Sequence, residues 1–144
     1  MSLIDDAIVK IQTHALAVAY NSSNETIKSA PSLPVESAAV LPLAITYIAK
    51  GEFQADNITD TRLLYTINTD FHVRRDIMKI AYSQLDVIIP DFSKRLAGDP
   101  TLGETVDTVV FPVSFEVGPA QWDAIVTQMA SFSIPIKIKT TPTN

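Results

Sequence analysis

Hydrophobic positions along this chain switch between two periods. From residue 2 to about residue 20, Ile4, Ile8, Ile11, Ala15 and Val18 recur every three or four residues, the spacing that lines one face of a helix. Ser2 with Asp5 makes a Ser-x-x-Asp start, Asp5 and Asp6 suit the positive end of the helix dipole, and Asn21-Ser22-Ser23-Asn24 ends the run. Alanines and branched aliphatics also occupy other sides of this helix, which suggests a second face against a neighbouring subunit. Residues 26–40 hold Pro31 and Pro34 among serines and alanines and keep neither period, which reads as a loop or extended arm.

The period then shortens to two. Leu41, Leu43, Ile45, Tyr47 and Ala49 alternate through a strand to Lys50, and Leu63, Tyr65, Ile67, Thr69, Phe71 and Val73 do so from Arg62 to Val73. The two form a long hairpin around a loop at 51–60. Asp76 is placed to cap a second helix carrying Ile77, Ile80, Ala81, Leu85 and Ile88, which Pro90 stops or kinks before Gly98-Asp99-Pro100 breaks the chain. Val109, Phe111, Val113, Phe115 and Val117 alternate in the clearest strand, and Pro112 within it argues for an edge or a bulge. After Gly118-Pro119, residues 120–131 read as irregular or a short helix, with Trp122, Ile125, Val126 and Met129 at helical spacing. Phe132, Ile134, Ile136 and Ile138 then mark a closing strand, and 140–144 reads as a loose tail. The order α-β-β-α-β-β predicts a two-layer α+β fold: a mainly antiparallel four-stranded sheet with two helices packed on one face.

A length of 144 residues bounds this to a single domain, 1–144. A net charge of −5 argues against a sequence-specific nucleic-acid binder, without excluding a local basic patch. There is no cysteine, so neither a disulfide nor a thiolate metal site can form. No run is long and apolar enough to span a bilayer, and Asp5 and Asp6 stand where a signal peptide would be positive, so the expectation is a soluble chain without a cleaved signal.

Recognisable chemistry is sparse. There is no phosphate loop, nucleophile elbow or His-Glu-x-x-His pair, so the expectation is a non-enzyme with no cofactor or metal. The best catalytic candidate is Asp70, His72 and Asp76, since residues two apart on a strand share a face; the plainer reading is solvated polar positions. His14 has no ligand partner at a metal-binding spacing. Contact surfaces are the better prospect. The loops at 51–60 and 99–105 present Phe53, Ile58, Leu102 and Glu104, with their own core as the alternative destination. Arg74 and Arg75 are candidates for a phosphate or an acidic neighbour. Trp122 is a core or interface anchor, and Lys137 with Lys139 form a stripe along the last strand that would meet DNA, an acidic neighbour, or water at a protected edge.

Asp99-Pro-Thr-Leu-Gly-Glu-Thr-Val-Asp107, the strand after it, the Gly118-Pro119 turn and a lysine-bearing closing strand together resemble the small tail-terminator, or tail-completion, proteins of long-tailed bacteriophages. The likeness reaches back to Ile27-Lys-Ser-Ala-Pro31 and Leu41-Pro-Leu-Ala-Ile-Thr-Tyr47, with Glu104 standing where the pattern would carry a second glycine. The resemblance implies a virion protein of the head–tail junction, or neck, assembled in the host cytoplasm. Its copies would form a ring, commonly of six, that caps the tail tube, stops its polymerisation and joins it to the head. Implied partners are further copies, the tail tube protein and a head-completion or stopper protein, with genomic DNA passing through unread and no membrane. The alternatives are a stopper or minor tail protein of the same junction, or a small hydrolytic or ligand-binding domain using Asp70, His72 and Asp76.

Overall fold

The computed structural model describes residues 3–21, 23–30, 41–55, 61–122 and 125–140. Helix α1 spans Leu3–Leu16 and buries Ala7, Ile11 and Ala15, with Ile4 and Ile8 partly buried beside them, which is the face its spacing predicts. Ser2 lies outside the described residues. Past the helix, Val18 and Tyr20 stay buried, and the Asn21 side chain accepts from the Ser23 and Glu25 N–H groups to close a turn. Ala19 bridges to Thr26, and Ser29 runs parallel to Leu43, so only residues 31–40 of the expected arm lie outside the described part.

Strands β1 (Leu43–Ala55) and β2 (Thr61–Arg74) pair antiparallel, and β2 pairs in turn with β5 (Ile125–Thr140). On the far side of β5 lie the two-residue β3 (Thr108–Val109) and β4 (Ser114–Trp122), both antiparallel to it. The architecture is the expected α+β fold with an antiparallel sheet, but the sheet has five strands. The extra strand arises because 109–118 is interrupted at Val110–Val113, where Pro112 has no N–H for a ladder.

Residues 125–131 are not a helix; they begin β5, and β4 and β5 form a hairpin from Trp122 and Ile125 outward. Three- and four-residue spacing misleads here because Ala130 lies on one face of the strand and Thr127 and Met129 on the other. Strand β1 runs on to Ala55, so Gly51 to Ala55 are strand and the expected loop shrinks to 56–60, outside the described residues. Thr140 ends β5, and 141–144 likewise lie outside.

Helix α2 (Met78–Ala97) continues past Pro90, which therefore does not stop it, and its N-cap is Ile77 with no side-chain cap, so Asp76 does not cap it. The lost N–H of Pro90 is tolerated because Ala81, Leu85, Ile88, Phe92 and Leu96 anchor the helix on both sides of the proline. Helix α1 lies against β1, and α2 against β2 and β5. Between the layers, Phe71 of β2, Phe92 of α2 and Phe132 of β5 meet edge to face, with centroids 4.8 to 5.8 Å apart. Ile67, Val73, Ala130, Ile134 and Ile136 extend this core along the sheet.

Candidate interaction surfaces and a buried polar cluster

The sheet's outer face is buried at one end. Register sets Ile45 beside Asp70 and Ser131, and Leu43 beside His72 and Met129. Asp70 and His72 are only 8% and 6% exposed, so the solvated reading of these positions is corrected. Tyr47 donates to the Asp70 carboxylate at 2.8 Å, and Ser131 donates to its other oxygen. His72 Nδ1 and Thr127 Oγ1 are 2.8 Å apart in a third hydrogen bond. Burial pushes the His72 imidazole below its ordinary pKa, outweighing the opposing pull of Asp70's charge. Burial first, then the bond to Asp70, holds the Tyr47 phenol above its own.

This arrangement is poor chemistry for hydrolysis. Ser131 bonds directly to Asp70 and not to His72, and Thr127, the hydroxyl that does meet His72, is wholly buried. Asp76 stands apart, exposed, with Arg74 at 3.6 Å. Among the described residues no cluster of three or more acidic or imidazole side chains is placed to hold a metal ion. The sequence put Asp70 and His72 on one face; their partners Tyr47, Ser131 and Thr127 depend on a cross-strand register that periodicity does not contain.

A second polar knot joins the helical layer to the turn after α2. Asp99 bonds His14 Nε2 at 2.8 Å and accepts the Gly103 N–H at 2.9 Å. Partial burial pushes its carboxyl up, but the bonds from His14 and Gly103 and the positive charges of His14 and Lys10 outweigh it and hold the carboxyl below its ordinary pKa. His14 thus ties α1 to this turn. Leu102, Gly103 and Glu104 all take positive φ, at 49°, 66° and 67°. Leu102 is fully buried and so is a core residue, contrary to the contact-surface reading, whereas Glu104 is exposed.

No known family model matches the chain, and none of the curated proteins matches it. Its surface must therefore be read directly.

Among the described residues, large exposed apolar side chains gather on β4 and at the start of α2, with Val9 and Leu16 of α1 and Ile48 of β1 exposed elsewhere. Strand β4 carries Phe115 at 48% and Val117 at 41% exposure on the helix-facing side, beyond the reach of the helices, and Val110, Phe111 and Val126 are exposed nearby. The start of α2 exposes Ile77, Met78, Ile80 and Tyr82; Ile80 also lines a cavity of about 340 Å³ with Tyr20, Lys79 and Val87. Phe53, on β1, is the most exposed of the large apolar side chains among the described residues, at 70%. Ile58 lies outside the described residues, as do the side chains of Trp122 and Lys139. Arg74 and Arg75 are exposed beside the cluster, and Arg75 donates to Gln128 at 3.3 Å. Lys137 is half-buried on the outer face between Leu64 and Thr108, and the backbone of Lys139 pairs with Arg62. The structure therefore brings Phe53 to a strand with no outer neighbour among the described residues, keeps Lys137 at the far end of the outer face, and separates both from Arg74 and Arg75. Phe115 and Val117, absent from the sequence candidates, carried a signal there: an apolar face on a strand whose proline placed it at an edge.

Proposed function

We propose that this protein is a structural subunit that closes into a ring and terminates a bacteriophage tail tube. The supporting observation is that, among the described residues, no strand pairs on the outer side of β1 or of β4, and β4 leaves Phe115 and Val117 nearly half exposed. A ring of identical subunits needs two different, complementary patches on each copy, and a long apolar edge left bare in a monomer is an association hazard. The Asp99–Asp107 turn, the strand that follows and the lysine-bearing closing strand add the resemblance to tail terminators. The buried state of Asp70, His72 and Thr127 speaks against the hydrolytic alternative.

The test is tube growth. Tail-tube subunits polymerised with this protein should give short tubes bearing a ring at one end in electron micrographs. Tubes of unchanged length with bare ends would overturn the reading.

A further inference from the structure

The edges of the sheet are complementary to each other. Counting across, β1, β2, β5 and β4 alternate in direction, so the two outer strands run opposite ways. A rotated copy set beside the first therefore brings its β1 antiparallel to β4, the pairing that an open edge accepts most readily. Ser29 occupies the β1 edge at Leu43, and beyond it, among the described residues, no strand lies outside β1. Pro112, just before β4, and Pro119 within it have no N–H, so pairing is confined to the residues between them.

We infer that residues 113–118 of one copy pair with residues 47–53 of the next, with Glu116 opposite Lys50. Both side chains are exposed on the outer face, and neither makes an ion pair or side-chain hydrogen bond among the described residues. That register sets Phe115 over Gly51 and Val113 beside Phe53. A Cβ on Gly51 would stand 3.3 Å from Leu64 O and from the Tyr65 ring, so the bare backbone there lies beside that ring, which would form one wall for the neighbour's Phe115. The bulge between Ile48 and Lys50 shifts the count by one, which places Ile48, itself 45% exposed, beside Val117 on the same helix-facing side. Apolar side chains thus meet apolar ones on one face while opposite charges meet on the other. The neighbour's α1, which lies on β1, then extends the helical layer towards the uncovered β4. This contact rests on the ring reading for closure and specifies the joint.

Two sets of variants test it by native mass spectrometry and denaturing gels. Glu116→Lys and Lys50→Glu should each raise the dissociation constant roughly tenfold or more, and the double swap should restore it. Both sites are exposed, so the unfolding midpoint of each chain checks that the fold is intact. Glu52→Cys with Ser114→Cys, in a chain that has no cysteine, should give a ladder of disulfide-linked multimers on oxidation. Within one chain these sites are three strand spacings apart, about 14 Å, too far to bridge. Oligomers that ignore the charge reversals and give no ladder would overturn this joint and leave the ring reading standing. A covalent dimer from Ser114→Cys alone would overturn it in favour of a two-fold β4 contact. A monomer at all concentrations, without a ladder, would overturn the joint and count against the ring. A ladder from a protein that leaves tube length unchanged would keep the joint and remove the terminator.

Discussion

Two of the aromatic rings that Phe132 touches stand in very different settings. On one side Phe92, brought by α2, meets it edge to face at 4.9 Å and is wholly buried; on the other Phe115, from β4, lies at 5.3 Å, tilted by 34°, with nearly half its surface exposed. The difference is cover: two helices span β1, β2 and β5, and β4 lies beyond them. Hydrophobic alternation marks a face that must be buried, and it does not say by which chain. Phe92 is covered within the monomer, and the edge contact inferred above would cover Phe115 with a neighbour.

Cutting each ring back to alanine separates the two roles most sharply. Phe92→Ala should cost about 3–5 kcal/mol in denaturant unfolding, because it opens a cavity that the rings of Phe71 and Phe132 cannot close. Phe115→Ala should shift the unfolding of the isolated chain by about 1 kcal/mol or less and yet abolish assembly, read from the mass in solution. Equal losses of folding stability would erase the distinction.

The outer-face cluster sharpens the same contrast between inner sheet and edge. Asp70→Ala leaves the Tyr47 and Ser131 hydroxyls without their acceptor in a buried site and should cost about 2 kcal/mol by denaturant titration. Exposed Glu116, on the same row of the sheet, should leave folding unchanged when replaced by alanine.

Acid should act on both polar knots, in separate windows. His72 has a folded pKa below its ordinary 6.5, so the unfolded chain binds the proton more readily. Its contribution is complete above that value and is lost as pH falls towards the folded pKa. Asp99 is also depressed, from 3.8, so its contribution is present above 3.8 and is lost only as pH falls below that value through the folded pKa. Melting temperature against pH should therefore fall in two stages. His72→Gln should remove the upper stage alone, and a profile unchanged by that substitution would refute the assignment.

The smallest effect is a gain. Glu104 holds φ at +67° with an exposed side chain, a conformation that costs an L-residue about 1 kcal/mol, so Glu104→Gly should stabilise the chain by about 0.5 kcal/mol once the glycine's extra unfolded entropy is counted. A loss of stability on that substitution would mean that the side chain makes a contact worth more than the backbone strain.

Much of the fold could be read from periodicity, because both helices bury one face and the apolar side chains of β2 keep to one face, with only polar ones, apart from Leu64, on the other. The pattern failed where burial was two-sided or missing. Leu43 and Ile45 alternate as though facing the helices, yet it is Ala44 that enters the main core, because both faces of β1 are buried at that end. Residues 125–131 looked helical because apolar side chains lie on both faces of β5. Pro90 suggested a helix end that α2 overrides by packing on either side of it. At the candidate site, Pro112 correctly marked an edge, whereas the positive φ of Glu104 has no signal in the periodicity. The Asp70 and His72 partners were not readable, since one step of register changes them all.

The most direct measurement is residue-resolved amide hydrogen exchange at low and high protein concentration. If copies join edge to edge, amides at 113–118 and at 47–53 that face away from the subunit's own sheet should gain protection together as concentration rises, while those around Phe71 stay unchanged. Exchange at both edges that does not depend on concentration, in a protein that nevertheless assembles, would contradict the account.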